Sequence, residues 1–268
     1  MLKKPSPAGD LLRDWRQRRR LSQLALAADA EISQRHLSFV ESGRSLPSRE
    51  MVLKLTEHLA VPLRERNAIL VAAGFAPIYR NRSLDAPELT AARAAIGRIL
   101  DGHDPHPALA IDRHWTLLLS NRALRLLLTG VAARLLKAPV NVLRVSLHPE
   151  GLAGRILNFR AWRNHILKRL AHEIEISADP ALVSLMEELR SYPVPPQTGG
   201  SRRPDPPING DIAVPLILAS DVGPLSFLST TTVFGTAVDV TLSEVTIEAF
   251  FPADVETAGA MAQWINAS

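Results

Sequence analysis

The stretch LSQLALAADAEISQRHLSFVESGRSLPS, Leu21 to Ser48, decides how the first part of the chain folds. Ser22 precedes SQLALAAD, a run of strong helix formers, and is a good N-cap. Ser33 precedes a second helical run that stops at Gly43, a residue suited to the left-handed position after a helix. Ala27 is a small residue inside the first run, where a second helix must cross closely. In the second run Leu37 and Val40 share one side, and Gln34, Arg35 and Ser38 share the other. The spacing predicts two short helices joined by a tight turn, the second with a polar outer face.

Helical signals continue on both sides. GDLLRDWRQRRR offers Asp10 as an N-cap and Leu12 and Trp15 on one face. SREMVLKLTEHLA opens with Ser48 and Glu50 and spaces Val52, Leu55 and Leu59 at helical intervals. LRERNAILVAAG follows Pro62 and ends at Gly74. The sum is an all-α module of five short helices. Residues 1–82 hold 15 Lys/Arg against 8 Asp/Glu, so a net of +7 is gathered there, although the whole chain of 268 residues carries only +4. Basic charge concentrated in a small segment is the footprint of a polyanion partner, and a solvated surface accounts for the charge alone equally well. Gln and Arg can pair bidentately with adenine and guanine edges, so Gln34 and Arg35 could contact bases, and a solvated helix face is the alternative.

The pattern from Leu21 to Ser48 resembles the lambdoid repressor and Cro type of helix-turn-helix, the XRE family, and the resemblance extends over roughly residues 8–74. It implies base contacts from Gln34 and Arg35, further groove-facing positions at Ser38 and Phe39, and phosphate contacts from Gln23, Ser33 and Arg44. Arg16 and Glu41 match a pair that forms an internal salt bridge. Phe39 lies off the core stripe, and a thymine methyl or helix 4 would serve it equally well as a partner. Glu31 departs from the pattern, because glycine is common at this turn position. A non-glycine residue at positive φ costs about 1 kcal/mol, so either the turn carries that strain or it is shaped differently.

Residues 75–104 read as a linker and a connecting helix, LTAARAAIGRILDG, closed by the proline-rich HDPHP. Residues 105–268 mix element types. ALAIDRHWTLLLSN predicts two strands around a turn at Asp112–Arg113. RALRLLLTGVAARLLKA reads as a helix broken at Gly130, and AWRNHILKRLAHEI and PALVSLMEELR as further helices. DIAVPLILAS, GPLSFLSTTTVFG and SEVTIEAFF are rich in strand formers, with a turn at Asp221 and Gly223. ADVETAGAMAQWINA closes as a helix capped near Asp254. This order is α+β with an antiparallel sheet. Tyr192 to Asp211 holds six prolines and reads as a lid over a pocket or as an unstructured excursion.

Motifs for phosphate-binding loops, zinc peptidases and serine hydrolases are absent, as is cysteine. His103 and His106 flank an Asp in HDPHP, yet three potential ligands in a proline-bound loop rarely converge, so no metal and no cofactor is expected. His165 and His172 read as surface or core-edge residues. No catalytic residue is assigned and the chain is read as a non-enzyme. No signal peptide and no bilayer-spanning apolar run is visible, and the expected location is cytoplasmic.

Over nearly its whole length the chain resembles the MmyB-like transcriptional regulators, a branch of XRE proteins. The resemblance rests on ESGRSLPSREMVLKLTEHLAVPLRERNAILVAAGFAPIY, PALAIDRHWTLLLSNRA and PVNVLRVSLHPEGLAGRILNF. It implies a lambda-repressor-like DNA-binding domain followed by a PAS-like domain that binds a small amphipathic, fatty-acid-like ligand; a helix-turn-helix reader is expected to bind a palindromic operator as a homodimer. On the run that carries the resemblance, Arg144 or Arg155 would pair a ligand carboxylate, and Trp115, Phe159 and Trp162 would line the pocket. For any single one of these residues, a place in the core or at a helix cap is the stronger reading. A C-terminal domain used only for dimerisation stays open, as does an enzyme fused to a DNA reader; a large apolar cavity would speak against the first.

Overall fold

Ser22, Ser33 and Ser48 each place a side-chain oxygen on a backbone N–H three residues on, at 3.0, 3.1 and 3.1 Å, and so fix where three consecutive helices begin. The computed structural model of the chain describes residues 8–177, 179–196, 214–235 and 239–267. These form two units. The first comprises residues up to Ser83 together with Gly235–Ser243, and the second Leu84–Phe234 with Glu244–Ser268. The stretch 75–104 is thus divided, its first nine residues going with the first unit.

The first unit holds helices α1 (Ala8–Arg18), α2 (Gln23–Asp29), α3 (Gln34–Glu41), α4 (Arg49–His58) and α5 (Leu63–Ala72). Asp10 lies inside the first turn of α1 rather than capping it. Leu12, Trp15, Leu26, Ala27, Leu37, Val40, Val52, Leu55 and Leu59 are all buried in one core. Gly9 permits a close approach: a Cβ there would stand 2.2 Å from the Val40 carbonyl oxygen of α3. The turn between α2 and α3 carries the strain, with Glu31 at φ +50° and its carboxylate 3.4 Å from Lys54 Nζ.

Ala60, just after α4, is also left-handed at φ +46°. Its N–H donates to Glu57 O, and that of Val61 donates to Thr56 O. This is the helix-ending position that favours glycine. Ala60→Gly is therefore expected to raise the stability of this unit by about 1 kcal/mol, read from its urea midpoint.

Beyond α5 the Asn67 side chain accepts from Ile78 and Tyr79 N–H and donates to Tyr79 O, which fastens the chain to the helix. Arg80 then pairs in parallel with Asp239, and Thr241 donates to Arg82 O. A short helix, α11 (Val240–Glu244), begins at this segment with Val240 fully buried.

In the second unit α6 (Thr90–Asp101) precedes strands β1 (Ala108–Ile111) and β2 (Leu117–Ser120). Then come α7 (Arg122–Leu127), α8 (Val142–Leu147), the long α9 (Phe159–Ser177) and α10 (Pro180–Ser191). Strands β3 (Leu216–Leu218), β4 (Leu225–Val233) and β5 (Thr246–Pro252) and helix α12 (Val255–Ala267) complete it. The sequence region 122–138 is less helical than its composition suggests. Gly130, at φ +85°, turns the chain, and only a single 3₁₀ turn follows at Ala133–Leu135. Most of the proline-rich stretch, residues 197–211, lies outside the described residues.

All described strand pairings are antiparallel, in the order β2-β1-β5-β4-β3. One face of the sheet packs Leu109, Phe227, Leu216 and Leu218 against α7, α8 and α9. Asn121, fully buried, ties the β2 end together. Its Oδ1 accepts from Ala108 N and Leu124 N, and its Nδ2 donates to Asp104, His106 O and Leu100 O. Among the described residues no helix is long and apolar enough to cross a membrane.

Candidate nucleic-acid interface and ligand cavity

The first unit presents α3 with Gln34 and Arg35 exposed in its first turn. Its inner side is held by an ion pair. Arg16 donates Nε to Glu41 Oε1 at 2.7 Å and Nη2 to Oε2 at 2.8 Å. Gln23 Nε2 adds a third bond to Oε2 at 2.8 Å, and Arg13 bonds the Glu41 carbonyl. Only 1% of Glu41 is exposed. Burial pushes its carboxyl pKa up, but the hydrogen bonds from Arg16 and Gln23 and the charges of Arg16 and Arg13 outweigh that and hold it below the ordinary value. Glu41 therefore stays ionised and locks α3 against α1 and α2.

Of the residues expected on DNA, Gln34, Arg35, Ser33 and Arg44 are exposed, and Ser38 and Phe39 are half-buried. The Ser33 hydroxyl oxygen is also the α3 cap. One Gln23 N–H is committed to Glu41. Phe39 is flanked by the guanidinium groups of Arg35 at 5.4 Å and Arg44 at 5.9 Å from its ring centre. The ring thus orients two cations on the outer side of α3.

In the second unit a cavity opens between the sheet and α9. Its volume is about 90 Å³, and its mouth is open to solvent. Its walls are mostly aliphatic: Leu117, Leu124, Leu128, Val142, Leu152 and Leu216 are representative. Trp115 and Trp162 line it too. Trp115 sits at φ +64°, an unfavourable conformation for a bulky residue. Asp112 stabilises that turn by accepting from His114 N and Thr116 N, both at 2.8 Å. The Trp115 indole donates to Glu173 Oε2 at 2.8 Å and stacks under Arg169 at 4.5 Å. The Trp162 indole donates to Ser146 Oγ, and its ring stacks on His165.

The three other residues named for the pocket are placed elsewhere. Arg144 is bound bidentately to Glu188 at 2.8 and 2.7 Å. Arg155 donates to the carbonyls of Leu127, Thr129 and Ala219. Phe159 is core outside the cavity lining.

The polar wall instead uses residues not picked out from the sequence. Arg169 of α9 reaches across to Glu248 of β5, with N···O distances of 2.5 and 3.1 Å, and Glu173 lies 3.6 Å from its Nε. Thr231 Oγ1 also donates to Glu248. Burial pushes the Glu173 carboxyl up despite the Trp115 hydrogen bond and the Arg169 charge, and burial with the Arg169 charge pushes His165 down. A helical-wheel reading would have found this face: Trp162, His165, Ile166, Arg169 and Glu173 recur at intervals of three and four. In HDPHP, Asp104 is held by Asn121 and His103 meets Phe250 O. Among the described residues no group of three metal-ligating side chains occurs.

Comparison with known proteins follows the same division. The family description "MmyB-like transcription regulator ligand binding domain" matches residues 92–263, and "Helix-turn-helix domain" matches residues 8–69. No curated protein matches. A solved structure, "Structure of an RNA-binding Light-Oxygen-Voltage Receptor", aligns at 14% identity over 96% of this chain and 62% of its own, with a TM-score of 0.25. A score so low supports no argument about fold. With a helix-turn-helix at one end and the ligand-binding family model covering most of the remainder, the chain belongs to the MmyB-like transcription regulators, DNA-binding proteins with a ligand-binding domain.

Proposed function

We propose that the protein reads a specific operator through α3 and adjusts its DNA affinity when a small amphipathic, fatty-acid-like ligand fills the cavity of the second unit. The observation that carries this reading is the cavity: mostly aliphatic walls with a few polar side chains suit a chain with one polar end. It favours a sensor over a domain kept only for dimerisation. The sheet order β2-β1-β5-β4-β3 with helices on its inner face supports a PAS-like fold. For regulation the ligand must bind the two DNA-affinity states unequally. A cytoplasmic homodimer on a palindromic site fits a helix-turn-helix reader.

In this scheme Gln34 and Arg35 read bases, with Ser38 and Phe39 beside them in the groove, and Gln23, Ser33 and Arg44 contact phosphates. Arg35→Ala tests it. Selection of bound sequences from a random DNA pool should return a relaxed preference at one base pair, with a loss of about 1–3 kcal/mol on the preferred site. An even loss on all sequences would make Arg35 a phosphate contact and remove the assignment.

A further inference from the structure

The charge on the cavity wall narrows the ligand class. This argument rests on the cavity being a ligand site. An arginine and a glutamate line it, Arg169 and Glu248, and they are bound to each other. The other polar liners are Ser146, Ser229 and His165. Among the described residues that line the cavity, Arg169 is the one Lys or Arg, and it is enclosed. Glu248 takes Nη1 and Nη2, Glu173 stands beside Nε, and the Trp115 ring covers one face of the guanidinium.

A free carboxylate entering here would give up its hydration and meet a cation already neutralised. Its attraction to Arg169 would be opposed by Glu248, whose oxygens lie beside the same nitrogens, and by Glu173 when that group is ionised. His165 does not supply the missing charge, because burial and Arg169 both favour its neutral form. An uncharged head loses much less on leaving water. It finds hydroxyls at Ser146 and Ser229 among the lining residues.

We propose that the cavity selects an alkyl chain with an uncharged hydrogen-bonding head, such as an alcohol, amide or ester, over the corresponding free acid. Arg169 and Glu248 act as a closed polar plate that excludes anions.

The test uses the full-length protein and three ten-carbon probes at pH 7.5: 1-decanol, decanamide and decanoate. Binding is read from the change in total tryptophan fluorescence, to which Trp115 and Trp162 at the cavity contribute alongside the two other tryptophans, with isothermal titration as a check. At least one neutral probe should bind tenfold or more tightly than decanoate. Decanoate binding as well as or better than both neutral probes overturns the proposal and leaves the cavity as a ligand site. Binding by none of the three removes the ligand-site reading, and this inference with it. Glu248→Gln, which takes away the opposing charge and keeps the shape, should raise decanoate affinity at least tenfold relative to 1-decanol. An unchanged ratio would overturn the role given to Glu248.

Discussion

Glu41→Ala is expected to destabilise the first unit by about 3–5 kcal/mol, the range found when one partner of a buried ion pair is removed. The loss has two parts. Arg16, with only 11% of its side chain exposed, would be left with a buried charge and no carboxylate. The Gln23 amide would lose its acceptor as well. A unit of this size has a total stability of only some 5–15 kcal/mol, so DNA binding should fall through unfolding rather than through altered base preference. Urea unfolding followed by circular dichroism measures the effect, and a loss under 1 kcal/mol would show the pair to be ornamental. The pH dependence has a definite sign. The folded-state pKa of Glu41 lies below its ordinary value, so its contribution is present above the unfolded value of about 4.3 and disappears as pH falls through the folded value.

Arg169→Met should cost the second unit a similar amount, about 3–5 kcal/mol. It strands Glu248, whose side chain is 5% exposed on the inner face of the sheet, and deprives Glu173 of its cation. It also uncovers the Trp115 ring. The double change Arg169→Met with Glu248→Leu should recover most of the loss, because two apolar side chains of similar volume remove both charges from the wall. Thermal or urea unfolding of the wild type, both single variants and the double variant closes the cycle. Failure of the double variant to recover would mean that the pair organises the domain beyond its own electrostatics.

The helix-turn-helix was readable because its signals are local. Three serine caps, a glycine stop at Gly43 and the Leu37–Val40 stripe each act within a few residues. The strands were readable for the same reason, although the helix α11 that takes Ser243 and Glu244 from the last predicted strand was not. The cavity wall was harder. Arg169 and Glu248 stand 79 residues apart and meet only once α9 crosses β5. Arg144 and Arg155 attracted attention as arginines in a dense motif, yet a carboxylate and three carbonyls occupy them. A charged residue inside the strand TIEAFFP, on the same side as Phe250, was the available clue. The left-handed backbone of Trp115 left no mark in the sequence.

The assignment of residues 235–243 to the first unit changes how the protein can be cut. The chain runs through the first unit, builds most of the second, returns, and leaves again as β5. A fragment ending at Ser83 would lose Asp239 and Thr241, and with them the partners of Arg80 and Arg82. A fragment beginning at Leu84 would carry those residues away from what they pack on. Both ends of the returning segment are covalently joined to strands that line the cavity, β4 through Phe227 and Ser229, and β5 through Glu248 and Phe250. Proteolysis at Ser83 therefore severs one of three crossings between the units and leaves those at 234/235 and 243/244 intact, and grafting this sensor onto another DNA reader requires a partner for the loop between β4 and β5.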